Sequence, residues 1–204
     1  MDGRTRRKVA THERLLKAAR GLLAERGFDG VGLGEIAEAA GASRQAVYAH
    51  HFATKRDLLF ELLDHVERAE GFAELIPPAF AAPTGVEALR LAVAGNAEFE
   101  HRIADVTRVL EAARRSDPIA AEAWLGRTAG KRAGIGDLVE RIEHEGALRA
   151  GWTAVRATDL VFALLSSQLI DLLVVERGWS VEACAETTWQ LIERTLLAVP
   201  GGDG

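Results

Sequence analysis

One cysteine, Cys184, occurs in 204 residues, which excludes a disulfide framework or a cysteine-based zinc site within the chain and suits a reducing cytosol. The basic start "MDGRTRRKVATHERLL" lacks the apolar core of an export signal. The most apolar run, "LVFALLSSQLIDLLVV" from Leu160, is interrupted by Ser166, Ser167, Gln168 and Asp171. It reads as too short to span a bilayer, so a soluble, cytoplasmic protein with no membrane partner is expected. There is no Gly-x-Ser-x-Gly elbow. "GLGEIAEAAG" (32–41) lacks the preceding strand and the spacing of a phosphate-binding loop. No catalytic residues and no cofactor are therefore expected. Sustained strand alternation is also missing. Three of only five prolines fall in "IPPAFAAPTG" (76–85), the most obvious loop.

What is present is helical periodicity. Leu15, Leu16, Ala19, Leu22 and Leu23 trace one buried face that Gly27 ends, and Leu33, Ile36, Ala37 and Ala40 give a short second helix ended by Gly41. Leu58, Leu59, Leu62, Leu63, Val66 and Ala69 mark a longer one. Further helices are expected from Val86 to about Arg115 with a break near 100–102, from "SDP" (116–118) to His144, over 153–177 and over 180–198. The fold class is all-α. Charge is uneven: residues 1–56 hold eleven Lys/Arg against six Asp/Glu, whereas 57–204 hold fourteen against twenty-four. A basic head on an acidic body suits a polyanion partner.

The head contains "GASRQAVYAHHFATKRDLL" (41–59). Gly41 can adopt the left-handed conformation that ends one helix, and Ser43 can cap the next. At ~100° per residue from Arg44, Tyr48 falls at about 40°, Gln45 at about 100° and Ala49 at about 140°, with Val47 at about 300°. Val47 thus faces the core while the others share the opposite side. Arg and Gln can pair bidentately with guanine and adenine edges, and Tyr48, His50 or His51, and Lys55 can contact phosphates.

"FDGVGLGEIAEAAGASRQAVYAHHFATKRDLL" (28–59) resembles the DNA-binding module of the TetR family of bacterial transcriptional regulators. The likeness rests on Gly27-Phe28, Ile36-Ala37, Ala40-Gly41-x-Ser43, Tyr48, a His-Phe pair, Lys55 and Leu58-Leu59. It implies an N-terminal three-helix helix-turn-helix domain and a C-terminal helical ligand-binding and dimerisation domain. The expected divisions are a basic flexible arm (1–10), the DNA-binding domain (11–56), the ligand and dimer domain (57–199) and a flexible tail (200–204).

The resemblance implies a homodimer released from operator DNA by a small molecule of unknown identity. Ser43, Arg44, Gln45, Ala46, Tyr48, Ala49, His50, His51 and Lys55 fall at DNA-binding positions, with Arg44, Gln45 and Ala46 on bases. Candidates for the effector site are Leu63, Asn96, Phe99, His101, Ile103, Val106, Leu110, Trp124, Phe162 and Ser166. The last two helices would supply the interface, through Gln168, Leu172, Ala185, Trp189, Ile192 and Leu196.

Two departures stand out. Val31-Gly32 replaces the usual hydroxyl-bearing pair, leaving glycine as the cap. One residue is extra where members read Tyr-x-His-Phe, for here the chain reads Tyr48-Ala49-His50-His51-Phe52. A continuing helix would place Phe52 at about 80°, on the DNA side. The helix is therefore expected to end or bulge between Ala49 and Phe52, returning Phe52 to the core.

Rival readings use other residues. Glu98 and His101 form one ExxH spacing, and Glu61 with His65 and Glu140 with His144 are four apart. A di-iron bundle needs two ExxH pairs, so a metal-binding bundle is the weaker alternative, beside a helical interaction module with a vestigial helix-turn-helix. Ala185, Trp189, Ile192, Leu196 and Val199 form a 4-3-4-3 seam suited either to a partner helix or to the monomer's own core. Gly126, Gly130 and Gly134 suggest close helix approach or a loop.

Overall fold

A computed structural model of the chain describes residues 3–198. Among them the regular structure is helical: α1 (Gly3–Arg26), α2 (Leu33–Ala39), α3 (Arg44–His50), α4 (Lys55–Ala69), α5 (Phe72–Leu75), a 3-10 turn (Pro77–Ala81), α6 (Gly85–Arg102), α7 (Ala104–Ala113), α8 (Pro118–His144), α9 (Ala154–Leu164), α10 (Ser167–Ile170), a π-helical turn (Asp171–Glu176) and α11 (Val181–Leu196). An isolated bridge joins Leu148 to Leu197. The chain divides into two compact units. One combines the residues up to Ala69 with Asp105–Gly126, the other Glu70–Ala104 with the chain from Arg127. The expected division after residue 56 therefore differs from the observed one: α4, most of α7 and the start of α8 belong with the first three helices.

In the first unit α1 packs on α2 and α4, and α2 on α3. The periodic residues Leu15, Leu16, Ala19 and Leu23 are buried with Ile36, Ala37, Val47, Leu58, Leu59 and Leu62. Residues 3–10, expected as a flexible arm, continue α1 instead. Between Gly3 and Gly21 nothing interrupts helix propensity, because the intervening residues include neither Pro nor Gly. Residues 1–2 of that arm, Val199 of the seam and the tail at 200–204 lie outside the described residues.

The second unit has its own core, in which α6 packs on α11 and on the 3-10 turn. Leu89, Val93, Leu138, Val139, Ile142, Val161, Trp189, Ile192 and Leu196 share it. Gly95 is a close-approach position, since a Cβ there would lie 2.3 Å from the Leu75 carbonyl oxygen. Gly126 and Gly130 are not: both lie within α8, and a Cβ at either meets open space. Neither the loop nor the close-approach reading holds for these two.

The helix expected over 153–177 is broken. Leu165 ends α9, and its carbonyl accepts hydrogen bonds from Asn96 Nδ2 (3.1 Å) and Lys131 Nζ. In a continuous helix that carbonyl would receive the Leu169 N–H, which instead bonds Ser166 Oγ. By length and composition Ala154–Glu176 does reach what crossing a membrane requires, with mean hydropathy 1.8 over its most apolar 18 residues. The expectation that this run is too short is thus corrected. Here Ala157, Val161, Leu165 and Ile170 are buried, while Leu172, Val175 and Trp179, in and after the π turn, are exposed.

Candidate nucleic-acid interface

The helix-turn-helix forms for identifiable local reasons. Gly32 opens α2 in extended backbone, and Glu35 Oε2 accepts its N–H at 3.0 Å. Glu35 is held in turn by Arg26 at 2.9 Å. With no hydroxyl at the cap, only the carboxylate half of a capping box forms, and it satisfies the Gly32 N–H. Gly41, at φ 65°, ends the segment, with Ala42 N–H donating to the Ala37 carbonyl at 2.8 Å. Ser43 then caps α3, its Oγ accepting from Ala46 N–H at 3.2 Å.

Within α3 only Val47 is buried. Arg44, Gln45, Tyr48, Ala49 and His50 are exposed, with Ser43 beside them and Ala46 partly covered. The Arg44 guanidinium lies over Gly34, where a Cβ would fall 2.6 Å from Nε. The helix ends at His50, and His51 (φ −126°, ψ −70°) is its cap. The Val47 carbonyl accepts both His51 N–H (2.9 Å) and Phe52 N–H (3.0 Å), a widened last turn that absorbs the extra residue. Phe52 is fully buried. The expected end between Ala49 and Phe52 is observed.

Two candidates have other roles. Lys55 donates to the Phe28 carbonyl and sits 4.0 Å from the centroid of the Phe28 ring, so it fastens α4 to the end of the α1 turn. His51 is only partly exposed and turns toward α1. Its Nδ1 lies 3.3 Å from His12 Nδ1, and His12 Nε2 lies 2.8 Å from Glu61 Oε2. His12 also packs on Phe52 at 4.9 Å between centroids. Sequence reasoning missed His12 and paired Glu61 with His65 instead; no local pattern marks a contact across 39 residues.

The effector candidates fall in both units. Leu63, Val106, Leu110 and Trp124 belong to the first unit, and Asn96, Phe99, His101, Ile103, Phe162 and Ser166 to the second. Val106 and Leu110 line a void of about 10 Å³ with Arg20, Leu23, Leu59 and Leu62. That barely admits a water, so these two are packing residues. Trp124 stacks under Arg114, 4.8 Å from ring centroid to guanidinium. Ile103 is core, His101 is exposed, Ser166 caps α10, and Asn96 is committed to the Leu165 carbonyl.

A buried polar cluster in the second unit was also missed. Glu100 Oε1 accepts from Arg127 (2.8 Å) and Lys131 (3.0 Å), while Oε2 is buried without a hydrogen-bond partner. Burial lowers the Lys131 ammonium below its ordinary pKa, opposed by the Glu100 charge. Arg127 lies 5.5 Å from the centroid of Phe99, which meets Phe72 edge-on.

The interface candidates split as well. Gln168 and Leu172 are exposed, but Ala185, Trp189, Ile192 and Leu196 are interior, so the 4-3-4-3 seam belongs to the monomer's own core. No group of three or more potential metal ligands occurs among the described residues, and the Glu98–His101 pair is occupied differently, with Glu98 bonded to Arg102 at 2.7 Å.

Residues 15–62 match the family model described as bacterial regulatory proteins, tetR family. Among curated proteins none matches. Solved structures share the fold over nearly the whole chain. FadR from Bacillus subtilis, in complex with stearoyl-CoA, is 18% identical at a TM-score of 0.72, covering 88% of this chain and 96% of its own. NalD, the secondary repressor of the MexAB-OprM multidrug efflux pump in Pseudomonas aeruginosa, is 24% identical at 0.70, covering 93% and 98%. The ketosteroid transcriptional regulator KstR2 of Mycobacterium tuberculosis is 18% identical at 0.64, covering 92% and 95%. With a capped, outward-facing α3 inside it, the segment 15–62 is similar to the bacterial regulatory proteins of the tetR family, and the chain shares the fold of these solved structures.

Proposed function

We propose that the protein is a dimeric repressor in the cytoplasm whose α3 reads operator DNA and whose second unit binds a releasing small molecule. The observation that carries the reading is α3 itself, where Val47 alone is buried and Arg44, Gln45, Tyr48 and Ala49 share the exposed side. Arg44 and Gln45 read base edges; Ser43, Tyr48 and His50 hold phosphates. Two such helices, one from each protomer, enter successive major grooves about 34 Å apart.

Support for the dimer comes from the second unit. Leu172, Val175, Trp179 and Leu191 are large, apolar and exposed, and only 22% of the most apolar window in Ala154–Glu176 is buried within the chain. Surface of that kind is what a second copy would cover. Support for the effector comes from FadR, crystallised with stearoyl-CoA, and from the unpartnered Glu100 Oε2 beside Phe99 and Arg127. The effector acts by its differential affinity for two dimer states, lowering operator affinity by that difference.

Electrophoretic mobility with the gene's upstream DNA tests the proposal. Sequence-selective binding that weakens steeply with salt is expected. Arg44→Ala should cost about 1–3 kcal/mol at a cognate base pair and relax selectivity there. Unchanged binding by Arg44→Ala would overturn the assignment of α3, and absence of any binding would favour an interaction module.

A further inference from the structure

The extra residue at the end of α3 does more than widen a turn. His51 meets His12 nitrogen to nitrogen, and the hydrogens on that contact can be counted. Glu61 Oε2 can only accept, so His12 Nε2 carries a hydrogen and neutral His12 presents a lone pair at Nδ1. His51 then donates from its own Nδ1. If His12 takes up a proton, His51 can move its hydrogen to Nε2 and accept at Nδ1, so the bond survives. A second proton leaves two N–H groups and two positive charges facing each other at 3.3 Å.

We propose that His12, acting through His51, is a positioning residue for the recognition helix, and that the contact between them tolerates one proton but not two, so that operator binding weakens in acid. The proposal rests on the DNA-reading assignment above. The link to α3 is direct. His51 N–H and Phe52 N–H close the last turn on Val47, the only buried residue of α3, and the His12 ring covers Phe52. Driving the rings apart uncovers Phe52 and frees the turn that orients Tyr48 and His50.

The surrounding charges favour this direction. From α3 comes His50; from α1 come Lys8 and Glu13; from α4 come Glu61, His65 and Arg68, of which Lys8, Glu13, His65 and Arg68 line a groove beside His12. Burial first, then the charges of His12, Lys8 and His50, push the His51 imidazole below 6.5. The sign follows. The unfolded chain takes up this proton before the folded one, so the contact's contribution is complete above about pH 6.5 and is lost as pH falls below it.

The test begins with a duplex selected from a random-sequence library by the full-length protein at pH 7.5. Its affinity is then measured at pH 7.5 and 5.5 for the wild type, His51→Asn and His12→Gln. The asparagine amide can stand where Nδ1 stands and does not titrate. The wild type is expected to weaken about tenfold, and both variants less than about threefold. Exposed His50 is common to all three proteins, so its contribution is read out by the variants. Equal weakening of wild type and variants would overturn the proposal, as would a wild type that does not weaken. Failure to select any duplex would overturn the DNA reading instead. The contact between His12 and His51 is then judged by proton NMR of the histidine ring signals. A His51 signal that titrates well below that of His50, together with a shift of the Phe52 amide, supports it. A His51 signal that titrates with that of His50 overturns it.

Discussion

Phe52→Ala tests how the first unit absorbs its extra residue. Phe52 is fully buried and packs on His12 and His51 with ring centroids 4.9 and 6.3 Å away. Returning a ring of this size to water in the unfolded chain accounts for about 1.5–3 kcal/mol. The side chain lies in the last turn of α3, whose two hydrogen bonds converge on the Val47 carbonyl. The site therefore has little freedom to collapse, and the cavity left behind raises the cost to about 3–5 kcal/mol. In a chain of this length that is a fall in Tm of roughly 6–20 °C. The measurement is a urea titration and a thermal scan by circular dichroism at one fixed protein concentration, because association would shift both. A loss below about 1 kcal/mol would mean that Phe52 is not buried as described, and that α3 continues through it.

Other outcomes follow from particular contacts. Gly95→Ala should destabilise the second unit by about 1–3 kcal/mol, because the Leu75 carbonyl occupies the position a Cβ would take. Gly126→Ala should leave stability unchanged or raise it by up to about 1 kcal/mol; equal denaturation midpoints for the two variants would refute the distinction. Burial raises the Asp105 carboxyl, but two hydrogen bonds from Arg20 (2.7 and 3.0 Å) and its charge outweigh that and hold it below 3.8. Stability from this pair is therefore present above about pH 4 and lost on acidification. Discounted for partial exposure, Asp105→Asn should cost about 0.5–1 kcal/mol at pH 7 and little at pH 2.5, read from urea midpoints at both. Trp179→Glu with Leu172→Glu should convert the proposed dimer to a monomer in sedimentation, with an unchanged circular dichroism spectrum.

Most of the architecture was legible because it depends on neighbours in sequence. Gly41, Ser43 and Val47 set the turn, cap and buried face of α3 within seven residues, and the misfit of Phe52 on a continuing helix exposed the widened turn. Partners far along the chain were not legible. Nothing near Leu165 announces that Asn96, 69 residues away, and Lys131, 34 away, capture its carbonyl. His12 gives no local sign that it will meet His51, and Lys55 none that it will bond to Phe28. The seam at Ala185, Trp189, Ile192 and Leu196 failed for another reason: 4-3-4-3 spacing says that a helix face will be covered, not by which chain. The glycines of α8 misled because a residue that costs helix stability need not have a packing reason.

The Leu165 carbonyl sets a competition with a countable outcome. One oxygen with two lone pairs serves α6 through Asn96 and α8 through Lys131, and α9 can run on into α10 only by reclaiming it for the Leu169 N–H. The bend is thus an exchange of partners in which the oxygen accepts two hydrogen bonds, where the straight helix would give it the Leu169 N–H alone. Asn96 and Lys131 fare differently, since straightening would take the Leu165 acceptor from the Asn96 amide and leave the Lys131 ammonium with Glu100. Anything that supplied acceptors to those two groups would lower the cost of the straight helix, and so tie the course of the apolar segment after Leu165 to what occupies the space around Glu100.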